Sequence, residues 1–334
     1  MPPIAVIILN WNGAKLLRRF LPSVIANTNP ALADVIVADN GSNDDSLRLL
    51  ETEFHSVKTI RFSENLGFAE GYNRAIAQCK DYRYTILLNS DVETPPGWVE
   101  PLYKAMEADP GTGACQPKIL SAEHPEKFEY AGASGGFIDR NGYPYCRGRI
   151  FGTTETDNGQ YDTPLPIFWA TGAALMVRTG LYLKLGGLDS LFFAHMEEID
   201  LCWRILLDGH QIMAVPQSRV YHLGGGSLPA ANPRKTYLNF RNNLLLLHKN
   251  LPLRDLRPTL LRRRLLDTIA WMKFMLTMDF ANANAILRAH RDFRRMRRNY
   301  TSHPAANLLR DTPSCRRNIL LDYYLRRRRH FSRL

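Results

Sequence analysis

Apolar residues along the first part of the chain come in short unbroken runs, and segments of helical spacing separate those runs. "IAVIILN" (4–10), "DVIVAD" (34–39), "VKTIRF" (57–62) and "YTILLNSD" (84–91) read as strands, the first two as runs buried on both faces. Between them "AKLLRRFLPSVIAN", "SLRLLETEF" and "FAEGYNRAIAQC" (68–79) place apolar side chains on one helical face. Strand alternating with helix predicts an α/β fold with a mostly parallel sheet flanked by helices, its sites at the carboxyl ends of the strands. Polar residues stand at those ends: Asn10, then Asp39 and Asn40, then Asn89, Ser90 and Asp91. Asn and Asp form turns readily, but three successive strand ends offering amides or carboxylates also outline a site.

Beyond residue 110 the pattern changes. "GACQPKIL" reads as a strand, and "GGFIDRNGYPYCRGRIFG" as hairpins with Asn141-Gly142 at a turn. A strand at 173–178 and a helix at 199–208, stopped by Gly209, follow. At the start of that helix "HMEEIDLCWR" (195–204) sets Glu197, Glu198 and Asp200 within four positions. Carboxylates so close repel, and burial raises their pKa values. Either the three acids face water at a helix N-terminus, where negative charge suits the dipole, or the chemistry needs them.

Composition is that of an ordinary globular protein, 45% hydrophobic and 22% charged. Charge divides the chain further. Residues 251–334 hold 20 Arg plus Lys against 6 Asp plus Glu, so the whole excess behind the net +11 lies there. Two regions are expected: residues 1–250, and a basic helical extension over 251–334. In the extension an apolar run at 265–280 is interrupted by Asp267, Lys273 and Asp279 and falls short of a membrane span. Basic clusters beside Trp, Phe, Met and Leu suit a helix lying on an anionic membrane surface. Nucleic-acid binding is the less favoured use of such a segment. Five scattered cysteines without CxxC spacing, and no secretory leader pattern after Met1, point to a reducing compartment. No G-x-G-x-x-G follows the first strand and no Walker sequence is present, which disfavours dinucleotide and P-loop sites.

Taken in order, "VIILNWNG", "VIVADNGSNDDS", "ENLGFAEGYNRAI", "LLNSDV", "MEEIDLCWR" and "VYHLGGGS" resemble the family 2 glycosyltransferases of GT-A fold. They are most similar to rhamnosyltransferase-like enzymes of bacterial cell-surface polysaccharide assembly. The resemblance covers about residues 4–248. Departures are specific: Asn89-Ser90-Asp91 replaces the D-x-D metal motif, Glu197-Glu198 replaces Glu-Asp, and the Q-x-x-R-W of processive members is missing. That last absence favours addition of one sugar or few.

The resemblance implies inverting transfer from a nucleotide diphosphate sugar, dTDP-rhamnose or a UDP-sugar, to a hydroxyl of a glycan or lipid-linked acceptor. Departing diphosphate calls for Mg²⁺ or Mn²⁺, with Asp91 and His222 as the expected ligands. The acceptor hydroxyl calls for a base of raised pKa, expected to be Glu198 with Glu197 orienting the acceptor or tuning it. Asn10, Asp39, Asn40, Ser42, Asn65, Asn89 and Asp200 complete the expected substrate-binding set, Asp39 holding the base or ribose. Location in the cytoplasm, peripheral on the inner face of the cytoplasmic membrane, follows from the same resemblance. A nucleotidyltransferase making nucleotide sugars, and a non-catalytic membrane or nucleic-acid binder, are the alternatives. The first would show a Gly-rich, Lys-bearing loop after strand one, of which "NWNGAKLLRR" is a poor version.

Overall fold

The computed structural model describes residues 1–224 and 232–334; the glycines and serine closing "VYHLGGGS" (225–227) lie outside the described residues. Strands β1 (Ile4–Asn10), β2 (Ala33–Asn40), β3 (Lys58–Phe62) and β4 (Tyr84–Asn89) form the expected parallel half, in the order β3-β2-β1-β4. Strand pleating explains the apolar runs. Ile4, Val6 and Ile8 enter the core on one face of the sheet, and Ala5 and Ile7 the core on the other. Helices α1 (Ala14–Asn27) and α3 (Gly67–Gln78) cover opposite faces, α1 through Leu17, Leu21 and Val24 and α3 through Tyr72, Ala75 and Ile76. The short helix α2 (Ser46–Thr52) packs beside α1.

The rest of the main sheet is mixed. After β5 (Val92–Glu93), helix α4 (Val99–Ala108) and β6 (Thr112–Ser121), the chain leaves the sheet. It builds a separate antiparallel sheet from β7 (Gly136–Ile138), β8 (Pro144–Cys146), β9 (Arg149–Ile150) and β10 (Thr153–Thr154). The expected hairpins are here, and Gly142 takes a positive φ of 83° at the β7–β8 turn. β11 (Leu165–Ile167) and β12 (Ala174–Arg178) follow. β12 re-enters beside the carboxyl end of β4, with Ala174 opposite Leu88, and so must run antiparallel between β4 and β6. Helices α5 (Thr179–Lys184) and α6 (Glu197–Leu207) lead to β13 (Gln211–His222), which returns parallel to β6.

The C-terminal helices α7 (Pro233–Asn250), α8 (Leu253–Leu276) and α9 (Phe280–Met296) share a hydrophobic core with α6 and the small sheet. Leu244 to Leu247, Leu256 and Phe293 join Ile199 and Trp203 in it. The ring of Phe331, near the end of the chain, lies 5.3 Å from that of Phe137, tilted by 32°, and 5.8 Å from that of Tyr161, edge to face. Residue 250 ends a helix but not the packing. All five cysteines are free and buried. Among the described residues no helix is long and apolar enough to cross a membrane.

Candidate active site

The first part of the site is a network at the ends of β1 and β2. Asn10 and Asp39, both fully buried, lie side by side in the parallel register, and the Asn10 amide donates to Asp39 Oδ2 at 3.0 Å and to Ser42 Oγ at 3.2 Å. Asp39 Oδ1 accepts from the Ser42 backbone N–H at 2.9 Å. Asn10 Oδ1 is buried with no hydrogen-bond partner among the described residues. Asn40 and Asn65 do a different job. Asn40 donates to Asn65 Oδ1 (3.0 Å) and Gly67 O (3.1 Å) and accepts from Leu66 N–H (3.0 Å), so it ties the β2 end to the start of α3. Gly41, at φ 73°, lets this loop approach the 64–65 backbone; a Cβ there would lie 2.6 Å from Glu64 Cα.

The second part is ionic. β5 pairs with the end of β13, setting His222 opposite Val92 and therefore beside Asp91. His222 Nε2 lies 3.1 Å from Asp91 Oδ1 and 3.4 Å from the Asn89 amide, and its Nδ1 lies 3.3 Å from Glu129 Oε2. Burial opposes a charge on His222, yet Asp91 and Glu129 outweigh it and push the imidazole up to about 10. His222 in turn overcomes the burial of Asp91 and holds its carboxyl below the usual range.

Oxygen and imidazole donors suit Mg²⁺ or Mn²⁺. Two neighbouring ligands of an octahedral ion, each about 2.1 Å from it, stand about 3.0 Å apart, close to the 3.1 Å between Asp91 Oδ1 and His222 Nε2. The pair fits two ligand positions once His222 gives up its proton. Among the described residues no third His, Cys, Asp or Glu completes a closed cage, so phosphate and water would fill the other positions.

The third part is the wall carrying the acids. Three residues without glycine's freedom take positive φ just before α6: Phe193 (66°), His195 (69°) and Met196 (76°). Such backbone persists only when its surroundings over-determine it. Helix α7 does this: the Asn242 amide donates to the carbonyls of Phe192, Ala194 and His195 at 2.9, 2.8 and 2.7 Å, and Arg241 donates to Phe192 O at 2.8 Å. Glu197 and Glu198 open α6 directly behind this turn, each with a buried Oε2 that has no hydrogen-bond partner among the described residues. Burial pushes Glu198 up to about 7, although backbone N–H groups at the helix start pull the other way. Glu197 is raised well above the usual carboxylate range as well, by burial and by Glu198 beside it.

Glu198 lines a cavity of about 370 Å³ walled by the aromatic residues Tyr130, Tyr143, Phe151, Trp169 and Phe240 and by the cations Arg149, Lys235 and Arg263. Glu197 is buried and does not line this cavity. Arg149 lies over the Tyr130 ring at 4.3 Å and Arg263 over Tyr143 at 3.9 Å. His195 also faces the cavity, and burial followed by the Lys235 charge lowers it to about 4, so it is neutral. The ionic cluster borders this space, because Glu129 adjoins Tyr130. Asn89 N–H bonds to Ala173 O at 3.0 Å, and the neighbouring Gly172 sits against Glu198, its hypothetical Cβ 3.8 Å from the Glu198 Cβ.

Asp200 departs from its expected substrate-binding place. It is fully buried, and Oδ2 accepts from Arg204 Nε and Lys249 Nζ, both at 2.8 Å, while Oδ1 accepts from Asn250 at 2.8 Å. Both oxygens are spent locking α6 to α7, because the helical step from Glu198 to Asp200 turns the side chain away from the cavity. Glu129, Arg149, Lys235 and Arg263 were not expected from sequence. Nothing near them in the chain carries a motif; only the folding of the 130–150 hairpins against α7 and α8 assembles them.

The sequence model of glycosyl transferase family 2 matches residues 5–174, about half the chain. The chain belongs to this family and is a glycosyltransferase. It is 26% identical over 232 residues to an N-acetylglucosaminyl-diphospho-decaprenol L-rhamnosyltransferase of Mycobacterium tuberculosis, covering 66% of this chain and 75% of the relative. It is 28% identical over 250 residues to N-acetylgalactosaminyltransferase 4 of Drosophila melanogaster, covering 70% of this chain but 37% of the relative. Among solved structures, GalNAc-T7 with UDP, GalNAc and Mn²⁺ superposes with a TM-score of 0.58 at 18% identity, over 75% of this chain and 48% of that one. TarS 1–349 of S. aureus in complex with UDP gives 0.51 at 15% identity, over 74% and 65%. The chain thus spans about half to two thirds of these solved relatives, and the shared GT-A fold is what the likeness establishes.

Proposed function

We propose that the protein transfers a sugar, with inversion, from a nucleotide diphosphate sugar to a hydroxyl group of an acceptor seated in the cavity beside Glu198. One observation carries this reading: a carboxylate with a free buried oxygen and a pKa near 7 faces an aromatic and cationic cavity beside the Asp91–His222 pair. Asn10 and Asp39 hold the nucleoside. As the acceptor oxygen attacks the anomeric carbon, its proton passes to Glu198 and the bond from that carbon to the diphosphate oxygen breaks, releasing the nucleotide. Bound at Asp91 and His222, a divalent cation would offset the charge on the departing diphosphate. Burial at the start of α6 supplies the basicity of Glu198, and Glu197 stands beside it as a second, more weakly required carboxyl.

Aromatic faces suit sugar rings, and Arg149 and Lys235 suit a phosphate. The mycobacterial relative is named for a sugar-diphospho-lipid acceptor and rhamnose, which supports an acceptor of that chemistry and dTDP-rhamnose as donor, with UDP-sugars as the next to try. The test incubates the protein with each donor and a sugar-diphospho-lipid. Glu198→Gln should lose about 10²–10⁴ in transfer rate with donor affinity nearly unchanged. Retention of more than about a tenth of turnover would remove Glu198 from the role of base.

A further inference from the structure

Helix α8 wears its polarity inside out. Its inward face buries Arg263 and Asp267, which pair at 3.1 Å, and His290 of α9 meets the same aspartate at 3.0 Å. Its outward face carries Leu261, Leu265, Ile269, Met272 and Leu276, spaced four, four, three and four residues apart and so aligned in one stripe. These side chains are open to solvent, Leu276 to 86% and Leu261 to 68%. Past the helix end, Met278 (76%) and Phe280 (57%) extend the apolar surface. A helix whose only neighbours were this protein and water would turn the leucines in and the ion pair out.

The shoulders of the stripe identify what covers it. Arg257, Arg262, Arg264 and Lys273 are exposed on either side. The helix has only two acids, Asp267 buried and Asp255 mostly so. A second copy of the chain placed on this stripe would bring like charges together. The stripe runs along one exposed face of a single helix, and the helix is not apolar enough to cross a bilayer. An anionic membrane surface meets both features, accepting the leucines among its acyl chains and the cations at its phosphates.

We propose that α8 lies in the plane of an anionic membrane, with the stripe from Leu261 to Leu276 inserted and Arg257, Arg262, Arg264 and Lys273 on lipid phosphates. This holds whether or not the cavity takes a lipid-linked acceptor. The test measures co-sedimentation of the full chain with vesicles of phosphatidylcholine alone or containing phosphatidylglycerol. Wild type should bind the anionic vesicles, more weakly as salt rises. The combined Leu261→Gln, Leu265→Gln, Ile269→Gln and Leu276→Gln variant should bind at least about tenfold more weakly, with no fall in melting temperature, because the four residues are exposed. The combined Arg257→Gln, Arg262→Gln, Arg264→Gln and Lys273→Gln variant should lose the preference for anionic lipid. Undiminished vesicle binding by the leucine variant would overturn the proposal. So would a wild type that ignores vesicles and elutes as a dimer which the leucine variant converts to monomer.

Discussion

Replacing Asp200 with Asn separates architecture from chemistry at the start of α6. In the wild type one buried carboxylate neutralises Arg204 and Lys249 and accepts from Asn250. Asn keeps the volume but removes the charge, leaving Arg204 (15% exposed) without its carboxylate and Lys249 (18% exposed) with Asp189 alone at 2.7 Å. Breaking a buried pair from one side costs about 3–5 kcal/mol. In a chain of this size that lowers Tm by about 4–7 °C. The cations hold the Asp200 pKa below its ordinary value despite burial. Its stabilisation is therefore present above the unfolded-state pKa and lost as pH falls through the lower folded value. Asp200→Asn should lose most stability at neutral pH, and the gap to wild type should close in acid. The assay is a melting series from pH 3 to 8 alongside transfer rate measured well below either midpoint. At such a temperature the variant should keep substantial turnover. An unchanged Tm with abolished transfer would refute the reasoning and return Asp200 to the substrate-binding set.

Three further outcomes are expected. Transfer rate should rise with pH through about 7, since Glu198 must be ionised to accept a proton and its pKa stands near that value; a flat profile from pH 5.5 to 8.5 in Glu198→Gln but not in wild type would confirm the source. Chelation with EDTA should abolish transfer and Mg²⁺ or Mn²⁺ should restore it, with Asp91→Asn weakening donor binding as well as rate; full activity in excess chelator would exclude the cation. Asn242→Leu should cost about 2–4 kcal/mol, because the part-buried Ala194 and His195 carbonyls lose their side-chain donor and Phe192 O loses one of its donors, and should depress turnover beyond its effect on Tm by releasing the turn before Glu198.

Where local pattern decides structure, the sequence was legible. The runs that became β1, β2 and β4 were visible because a strand covered on both faces needs apolar residues at nearly every position, β3 is the edge strand with Lys58 and Arg61 exposed, and the helices were visible because one face repeats. The expected helix at 199–208 begins two residues earlier, at Glu197, since the acids themselves form its first turn. Asp91 and His222 were expected together, and the β5–β13 pairing brings them together. Distance along the chain hid the rest. Glu129 reaches His222 from a loop 93 positions away, and Lys249 reaches Asp200 across 49. Neither leaves a periodic trace. Counting acids at 197–200 could not say which carboxylate faces a cavity and which an ion pair; that depends on α7, whose "RNN" at 241–243 looks like any polar helix face until it meets the 192–195 carbonyls.

Helix α7 therefore has three duties on interleaved positions. Lys235, Asn239, Phe240 and Asn243 furnish the cavity, Arg241 and Asn242 hold the turn before the base, and Lys249 and Asn250 anchor the base's own helix. The consequence is for redesign of acceptor preference. A graft that exchanges this helix for a relative's, aiming only to change what the cavity admits, also replaces the fittings that set Glu198, the proposed base. If Glu198 is the base, acceptor selectivity and catalytic competence are inherited together, and a transplant that changes one while keeping the other must copy positions 241, 242, 249 and 250 unaltered and vary only 235, 239, 240 and 243.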